Sequence, residues 1–303
     1  MQIVVFGAGS LGSLVGGVLA RDPSHEVTLV GRDPHVSAVR KSGLELTGRL
    51  EVTSTPVATT DGHGLEADLA IVAVKSFDTA AAAETLATGS YGTVLSLQNG
   101  MGNEETLASR LDIPVLAGTA SYGAVLQEPG RVECTGIGEI VLGPREGGRS
   151  AYADRVGDRF AAAGLETTVA DDMPRRLWEK LAVNAGINPV TALSRTENGA
   201  VLEADGNDLA RGAARETARV ARSCNVSLTD REALAALEAV ASDTATNTSS
   251  MHQDVLAERR TEIDAINGYV VERASKCGLE SEVATNRLLT SLVRTWERGR
   301  ELR

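Results

Sequence analysis

Lys180, Asn184 and Asn188 lie four residues apart in the stretch from Trp178 to Leu193. On a helix each step of four turns about 400°, so the three side chains stack in one slowly drifting row. An ammonium can hydrogen-bond a carbonyl oxygen and then give up a proton, which a guanidinium near neutral pH cannot. Two amides beside it can fix polar groups of a ligand without adding charge. Leu181, Val183 and Ile187 lie between and can face a core. A polar row on so apolar a helix is expensive to bury without partners. It faces either water or something that uses it, and the expectation is that it lines a cleft, because the chain upstream reads as a nucleotide-binding unit.

That upstream unit opens with an apolar run, Gln2 to Phe6, followed by Gly7-Ala8-Gly9-Ser10-Leu11-Gly12, a small-residue helix to about Leu19, and a second strand from His25 to Val30. The motif Gly-x-Gly-x-x-Gly is weak alone and specific between a strand and a helix. There its glycines let backbone amides approach a pyrophosphate, and the helix N-terminus favours the negative charge. The plain alternative is a tight glycine-rich turn. Arg32 stands 20 positions after Gly12, at the end of the second strand. A guanidinium there can pair with a 2′-phosphate, which favours NADP, while Asp33 one residue on would suit the ribose hydroxyls of NAD. An exposed loop arginine is the bland reading of Arg32. Lys75 follows the apolar run Asp68 to Val74, and Asn99 follows Val94 to Leu97. Both stand at strand carboxyl ends, where open α/β sheets bind ligands. Asn99 could serve the nicotinamide side of a dinucleotide or a substrate. A surface lysine and an Asn-Gly turn are the alternatives.

These residues need elements to hold them. Leu44 to Thr47 and Leu50 to Thr55 read as a small β excursion. Val115 to Leu142 reads as strands and turns expected to extend the sheet with antiparallel members. Residues 151 to 163 read as a helix, Glu166 to Val169 as a last strand, and the strand signal stops near Ala170. The rest reads as helix: Trp178 to Leu193 broken at Pro189, then Leu209 to Ser223, Arg231 to Ser242, Gln253 to Lys276 and Glu282 to Glu297. Ser250-Met251-His252-Gln253 fits a capping box for the helix that follows. A helix N-terminus also suits a carboxylate, so Ser250 is a candidate ligand-binding residue. Within that helix Ile263 and Ile266 are set toward a core, with Glu258 and Glu262 on the adjacent face. The commoner fate of one such glutamate is a solvated surface. The expected fold class is α/β: a Rossmann-type dinucleotide-binding domain over 1–170, then an all-helical domain over 171–303.

Composition narrows the partners. The 303 residues, 42% hydrophobic, suffice for two domains with separate cores. The net charge of −11 and the lack of a strong basic run argue against nucleic acid and against anionic membranes. A small anionic ligand must then meet a local positive patch. Lysine occurs only at Lys41, Lys75, Lys180 and Lys276 among 30 basic residues, which fits either salt adaptation or a codon-biased genome. Cys134, Cys224 and Cys277 form no disulfide framework, and the four histidines lack ligand spacing, so no metal site is expected. With no signal peptide and no long apolar span, a soluble cytoplasmic protein is expected.

With these residues in view the chain resembles the ketopantoate reductase (2-dehydropantoate 2-reductase) family over nearly its whole length. The resemblance rests on Gly7-Ala-Gly-Ser-Leu-Gly12, Val74-Lys-Ser-Phe-Asp78, Leu97-Gln-Asn-Gly-Met-Gly102, Trp178-Glu-Lys-Leu-Ala-Val-Asn184 with Asn188-Pro-Val-Thr191, and Ser249-Ser-Met with Thr261-Glu-Ile-Asp-Ala-Ile-Asn-Gly268. It implies NADPH and a small 2-keto acid bound in a cleft. Lys180 matches the proton-donating lysine, and Glu262 matches the acid that hydrogen-bonds the substrate's hydroxyl region. Asn184, Asn188, Asn198 and Ser250 match substrate-binding positions, Asn198 on Glu197-Asn-Gly199 alone. Arg32, Lys75 and Asn99 match cofactor-side or cleft positions, Asn99 and Lys180 being counted with the substrate contacts as well. The implied reaction is reduction of 2-dehydropantoate to pantoate. A reductase of another small 2-keto acid and a non-catalytic NADP-sensing protein are the rival readings, and a homodimer is an open expectation.

Overall fold

The computed structural model describes Met1–Arg303. The chain forms two compact units, one of Met1–Gln98 with Asn103–Met173, the other of Asn99–Gly102 with Pro174–Arg303. The first is a mixed α/β sheet unit and the second is helical. No helix is long and apolar enough to cross a membrane.

The first unit runs β1 (Gln2–Phe6), α1 (Ser10–Leu19), β2 (Glu26–Val30), α2 (His35–Ser42), β3 (Leu44–Gly48), β4 (Val52–Ser54), β5 (Val57–Thr59), β6 (Glu66–Val72), α3 (Thr79–Leu86), β7 (Ser90–Ser96), α4 (Asn103–Ala108), β8 (Val115–Ala120), β9 (Gly123–Glu128), β10 (Arg131–Gly136), β11 (Ile140–Pro144), α5 (Ala151–Ala162) and β12 (Thr167–Val169). The main sheet has eight strands in the order β12-β11-β8-β7-β6-β1-β2-β5. All its pairs are parallel except β8 with β11. Its central strands are buried on both faces. Ile3, Val5, Leu69, Ile71 and Leu95 enter one core, and their neighbours Val4, Phe6, Ala70, Val72 and Val94 enter the other. That two-sided burial is why these strands read as unbroken apolar runs.

β9 and β10 depart from the expectation of a single extended sheet. They leave the main sheet and join β3 and β4 in a second sheet, ordered β4-β3-β10-β9. The key pairing is β10 parallel to β3, with Val132 opposite Leu46. Helix α1 lies between the two sheets: a Cβ on Gly16 would meet the Leu29 side chain of β2, and one on Gly17 would meet Leu44 of β3. Eight of its ten residues are buried, as expected of a helix covered on all sides.

The second unit contains α6 (Met173–Ser194), α7 (Ala204–Ser223), α8 (Asp230–Asp243), α9 (Ser250–Leu256), α10 (Asn267–Lys276) and α11 (Ala284–Arg298) around one apolar core. Pro189 does not break its helix; α6 runs through it. Proline removes the N–H that would bond the carbonyl of Ala185. The side-chain amide of Asn267 donates to that carbonyl at 3.0 Å instead. A second correction concerns the helix expected from Gln253 to Lys276. It ends at Leu256, Glu258 adopts a left-handed φ of 48°, and the chain runs as turns until α10 begins at Asn267. Ile263 and Ile266 still reach the core from this turn. Glu262 is 5% exposed there, so it is not a solvated acid on a helix face.

Candidate active site

The glycine-rich loop is built for close approach. Gly7 has φ +102°, and a Cβ there would lie 2.6 Å from the backbone of Ala73. Its amide and that of Ala8 both donate to the Val30 carbonyl, locking the loop to β2. Gly9 is different: a Cβ there would meet nothing within 4 Å, so the backbone is open to an incoming group. Gly9 is the N-cap of α1 and provides no side-chain cap, and no acid lies in the first turn. The first-turn amides of Ser10, Leu11 and Gly12 therefore form an uncapped, electropositive helix end that suits a phosphate. The Ser10 hydroxyl accepts the Leu126 amide at 3.0 Å, tying the loop to β9.

Arg32 leaves the end of β2 with its side chain 86% exposed, and Nη2 lies 2.9 Å from Oδ2 of Asp78. Asp33 is committed elsewhere: its Oδ1 accepts the amide and hydroxyl of Ser37 at 3.0 and 2.6 Å. Those bonds, the hydroxyl first, hold its carboxyl below the usual range. Lys75 sits after β6, just before the turn Ser76–Asp78. A buried set of polar groups that sequence reasoning missed braces this turn. Gln98 Nε2 donates to the Val74 carbonyl at 3.1 Å and to the Thr79 hydroxyl at 2.7 Å, and that hydroxyl lies 2.8 Å from Asn103 Oδ1. The only hint in the sequence is a glutamine two residues past the end of β7 at Ser96.

In the second unit, the segments that carry three candidates, Asn99, Glu262 and Lys180, meet around Tyr269 through neighbouring residues. Asn99 belongs to the short segment Asn99–Gly102. There the Met101 amide donates to Ala265 at 2.9 Å, and Gly102 abuts the Tyr269 ring. The turn carrying Glu262 contains Ala265 and leads into α10, where Tyr269 lies in the first turns. Trp178, two residues before Lys180 on α6, packs on the same ring at 5.8 Å between centroids. Asn184 and Asn188 follow Lys180 along the uninterrupted α6; Asn184 is half-buried and Asn188 is 5% exposed.

Ser250 is not the cap of α9. Ser249 caps it, accepting the His252 amide at 3.2 Å, and leaves Ser250 exposed at the first helical position. The Ser249 hydroxyl also bonds that of Thr191 at 2.8 Å, and Thr191 donates toward the Asn188 carbonyl at 3.2 Å. The start of α9 is thereby held beside the Asn188 turn of α6. Asn198 ties its own segment to the end of α8. Its amide nitrogen donates to the Thr244 hydroxyl at 3.0 Å, and its backbone N–H donates to Asn247. Its Oδ1 is buried without a partner.

A glycine-rich nucleotide loop on a largely parallel sheet, joined in one chain to a helical unit carrying a lysine-amide row, defines an oxidoreductase of the dinucleotide-dependent kind. Known proteins fix the family. The family model described as "Ketopantoate reductase PanE/ApbA" matches residues 3–147, and its C-terminal counterpart matches 172–297. A 2-dehydropantoate 2-reductase of Halobacterium salinarum is 42% identical, over 98% of this chain and 99% of its own. One from Pyrococcus horikoshii is 38% identical, over 98% of each. Among solved structures, a PanE/ApbA family ketopantoate reductase from Ralstonia eutropha superposes with a TM-score of 0.90 at 33% identity, covering 99% of this chain and 100% of that one. D-mandelate dehydrogenase, solved with NADH and anilino(oxo)acetate, superposes at 0.92 with 25% identity and full coverage of both chains. The chain belongs to the ketopantoate reductase family.

Proposed function

We propose that this protein reduces 2-dehydropantoate to pantoate with NADPH, as a cytoplasmic enzyme on the route to pantothenate and coenzyme A. The observation that carries the reading is the row Lys180, Asn184 and Asn188 on one uninterrupted helix, in a chain whose curated relatives are named for this reaction. The nucleotide end fits the cofactor: an uncapped α1 N-terminus and an open Gly9 for the pyrophosphate, with Arg32 for the 2′-phosphate and Lys75 and Asn99 as further contacts. The bound nicotinamide supplies the hydride that the substrate carbon receives. Lys180 hydrogen-bonds the carbonyl oxygen and transfers a proton to it, then regains one from solvent. Glu262 accepts a hydrogen bond from the substrate's hydroxyl and orients it. Asn184, Asn188, Asn198 and Ser250 hold the carboxylate and remaining oxygens with neutral donors, so no buried charge is added.

The test is a panel of 2-keto acids against NADPH and NADH, compared by kcat/KM. Highest efficiency with 2-dehydropantoate and NADPH supports the reading. The solved D-mandelate dehydrogenase with NADH motivates including an aryl 2-keto acid and the other cofactor. Preference for that acid would replace the proposed substrate, and tight NADPH binding without turnover on any acid would sink the enzymatic reading.

A further inference from the structure

The turn that carries Glu262 has no helix to stiffen it, yet both its flanks are clamped by groups from the last turn of α11 and the residues beyond. On one side, Glu297 is fully buried, and its Oε1 accepts both the backbone amide and the hydroxyl of Thr261, at 2.8 and 2.7 Å. On the other side, Asp264 receives Arg294 Nε at 2.8 Å and the guanidinium of Arg303. Arg303 joins the two clamps, because its Nη1 also lies 3.3 Å from Glu297 Oε2 and its side chain is only 17% exposed. Burial acts to raise the Asp264 carboxyl, but the bonds from Arg294 and Arg303 bring it below the usual range, so it stays charged for Arg303. Within the turn the Thr261 hydroxyl receives the Ile263 amide at 3.3 Å, and the Glu262 carbonyl receives those of Ala265 and Ile266. Glu262, with Ile263, thus lies between two fixed points.

We propose that Glu297 is a positioning residue for catalysis: by holding Thr261 from a buried site on α11, with Arg303 bridging to Asp264, it sets the place of the neighbouring Glu262 carboxylate. A carboxylate that must meet a substrate hydroxyl tolerates little displacement, and a shift of about 1 Å can lower the rate about a hundredfold. The group is a fully buried carboxyl, remote in sequence from the turn it holds, where an apolar side chain would serve packing alone. The inference rests on the reading that Glu262 acts on the substrate.

The experiment is a double-mutant cycle on the full chain: wild type, E297A, E262Q and E297A/E262Q, each measured for kcat, KM for 2-dehydropantoate, NADPH affinity and melting temperature. T261V accompanies them in case E297A folds poorly; it removes the hydroxyl's bond to Glu297 together with the long bond from the Ile263 amide, and keeps the Thr261 amide on Glu297. E297A is expected to lower kcat/KM about 10- to 100-fold and T261V several-fold, both with NADPH affinity within about twofold of wild type. In the E262Q background neither change should lower turnover further. If E297A and T261V cost the same factor with or without the Glu262 carboxylate, their role is general stability and the positioning claim falls, while the reading of Glu262 stands. If E262Q itself keeps wild-type turnover, the reading of Glu262 falls and the positioning claim falls with it.

Discussion

Replacing Asn267 with alanine should destabilise the helical unit in a way that depends on Pro189, 78 positions away. Asn267 is fully buried at the start of α10. Its Nδ2 donates at 3.0 Å both to the Ala185 carbonyl and to Asn286 Oδ1. The first of these stands in for the helical bond that Pro189 cannot make. Truncation leaves two buried acceptors without that donor, at about 1–3 kcal/mol each. The expected loss is therefore about 2–6 kcal/mol, a shift of roughly 5–20 °C if the unit melts cooperatively. Pro189→Ala supplies an N–H that can bond the Ala185 carbonyl within α6. In that background Asn267→Ala should cost about 1–2 kcal/mol less. Urea unfolding of the four proteins, followed by far-ultraviolet dichroism with m-values compared, measures the coupling. Equal losses in both backgrounds would refute the claim that Asn267 substitutes for the missing proline donor.

Three further outcomes follow from named contacts. Asp78→Asn should improve KM for NADPH about 3- to 10-fold and leave NADH unchanged, because the exposed Arg32–Asp78 pair is worth only about 0–1 kcal/mol and its carboxylate sits where a 2′-phosphate would have to approach. Equal effects on both cofactors would remove Arg32 as the phosphate reader. Burial pushes the Glu104 carboxyl from 4.5 up to about 7. Because the folded form then holds a proton that the unfolded chain has lost, stability should fall as pH rises from about 4.5 to 7 and level off above. Glu104→Gln should abolish that slope and be the more stable protein at pH 8, by up to about 3 kcal/mol; a slope that survives the substitution would place its source elsewhere. Finally, Gly9→Val should weaken dinucleotide binding at least about tenfold with little change in melting temperature, since a side chain there meets open space in the protein. Unchanged affinity would show that the phosphates do not approach Gly9.

The parts of the fold that are legible in the sequence are those whose reasons are local. The strand-loop-helix at Gln2–Leu19 announces itself through glycine spacing, and β1, β6 and β7 through apolar runs that fill cores on both faces. The misreadings have distant partners. Pro189 reads as a helix end because the donor that repairs it, Asn267, is remote. β10 reads as a member of the main sheet because its true neighbour, β3, lies over eighty residues earlier, and either pairing satisfies the same alternation. The turn around Glu262 reads as helical because Ile263 and Ile266 reach the core equally well from a turn pinned by Glu297. At Ser249-Ser250 two identical residues compete for one cap, and only the bond to Thr191 distinguishes them. α2, α3 and β5 span only eight, eight and three residues, too short for a sustained periodic signal. For the candidate site, residue types and the α6 row are legible, whereas Gln98 and Thr79, which brace the turn after Lys75, and Glu297, which bonds Thr261 beside Glu262, act across sequence distance.

The role proposed for Lys180 is delivery of the proton that accompanies hydride transfer. Its most direct test is Lys180→Arg, compared with wild type for NADPH affinity and for NADPH oxidation with saturating 2-dehydropantoate. Arginine keeps the positive charge and the hydrogen bond but retains its proton. Proton delivery by Lys180 requires NADPH affinity within about twofold of wild type and turnover lowered by about 10²- to 10⁴-fold. Turnover near the wild-type value with the arginine in place would contradict it.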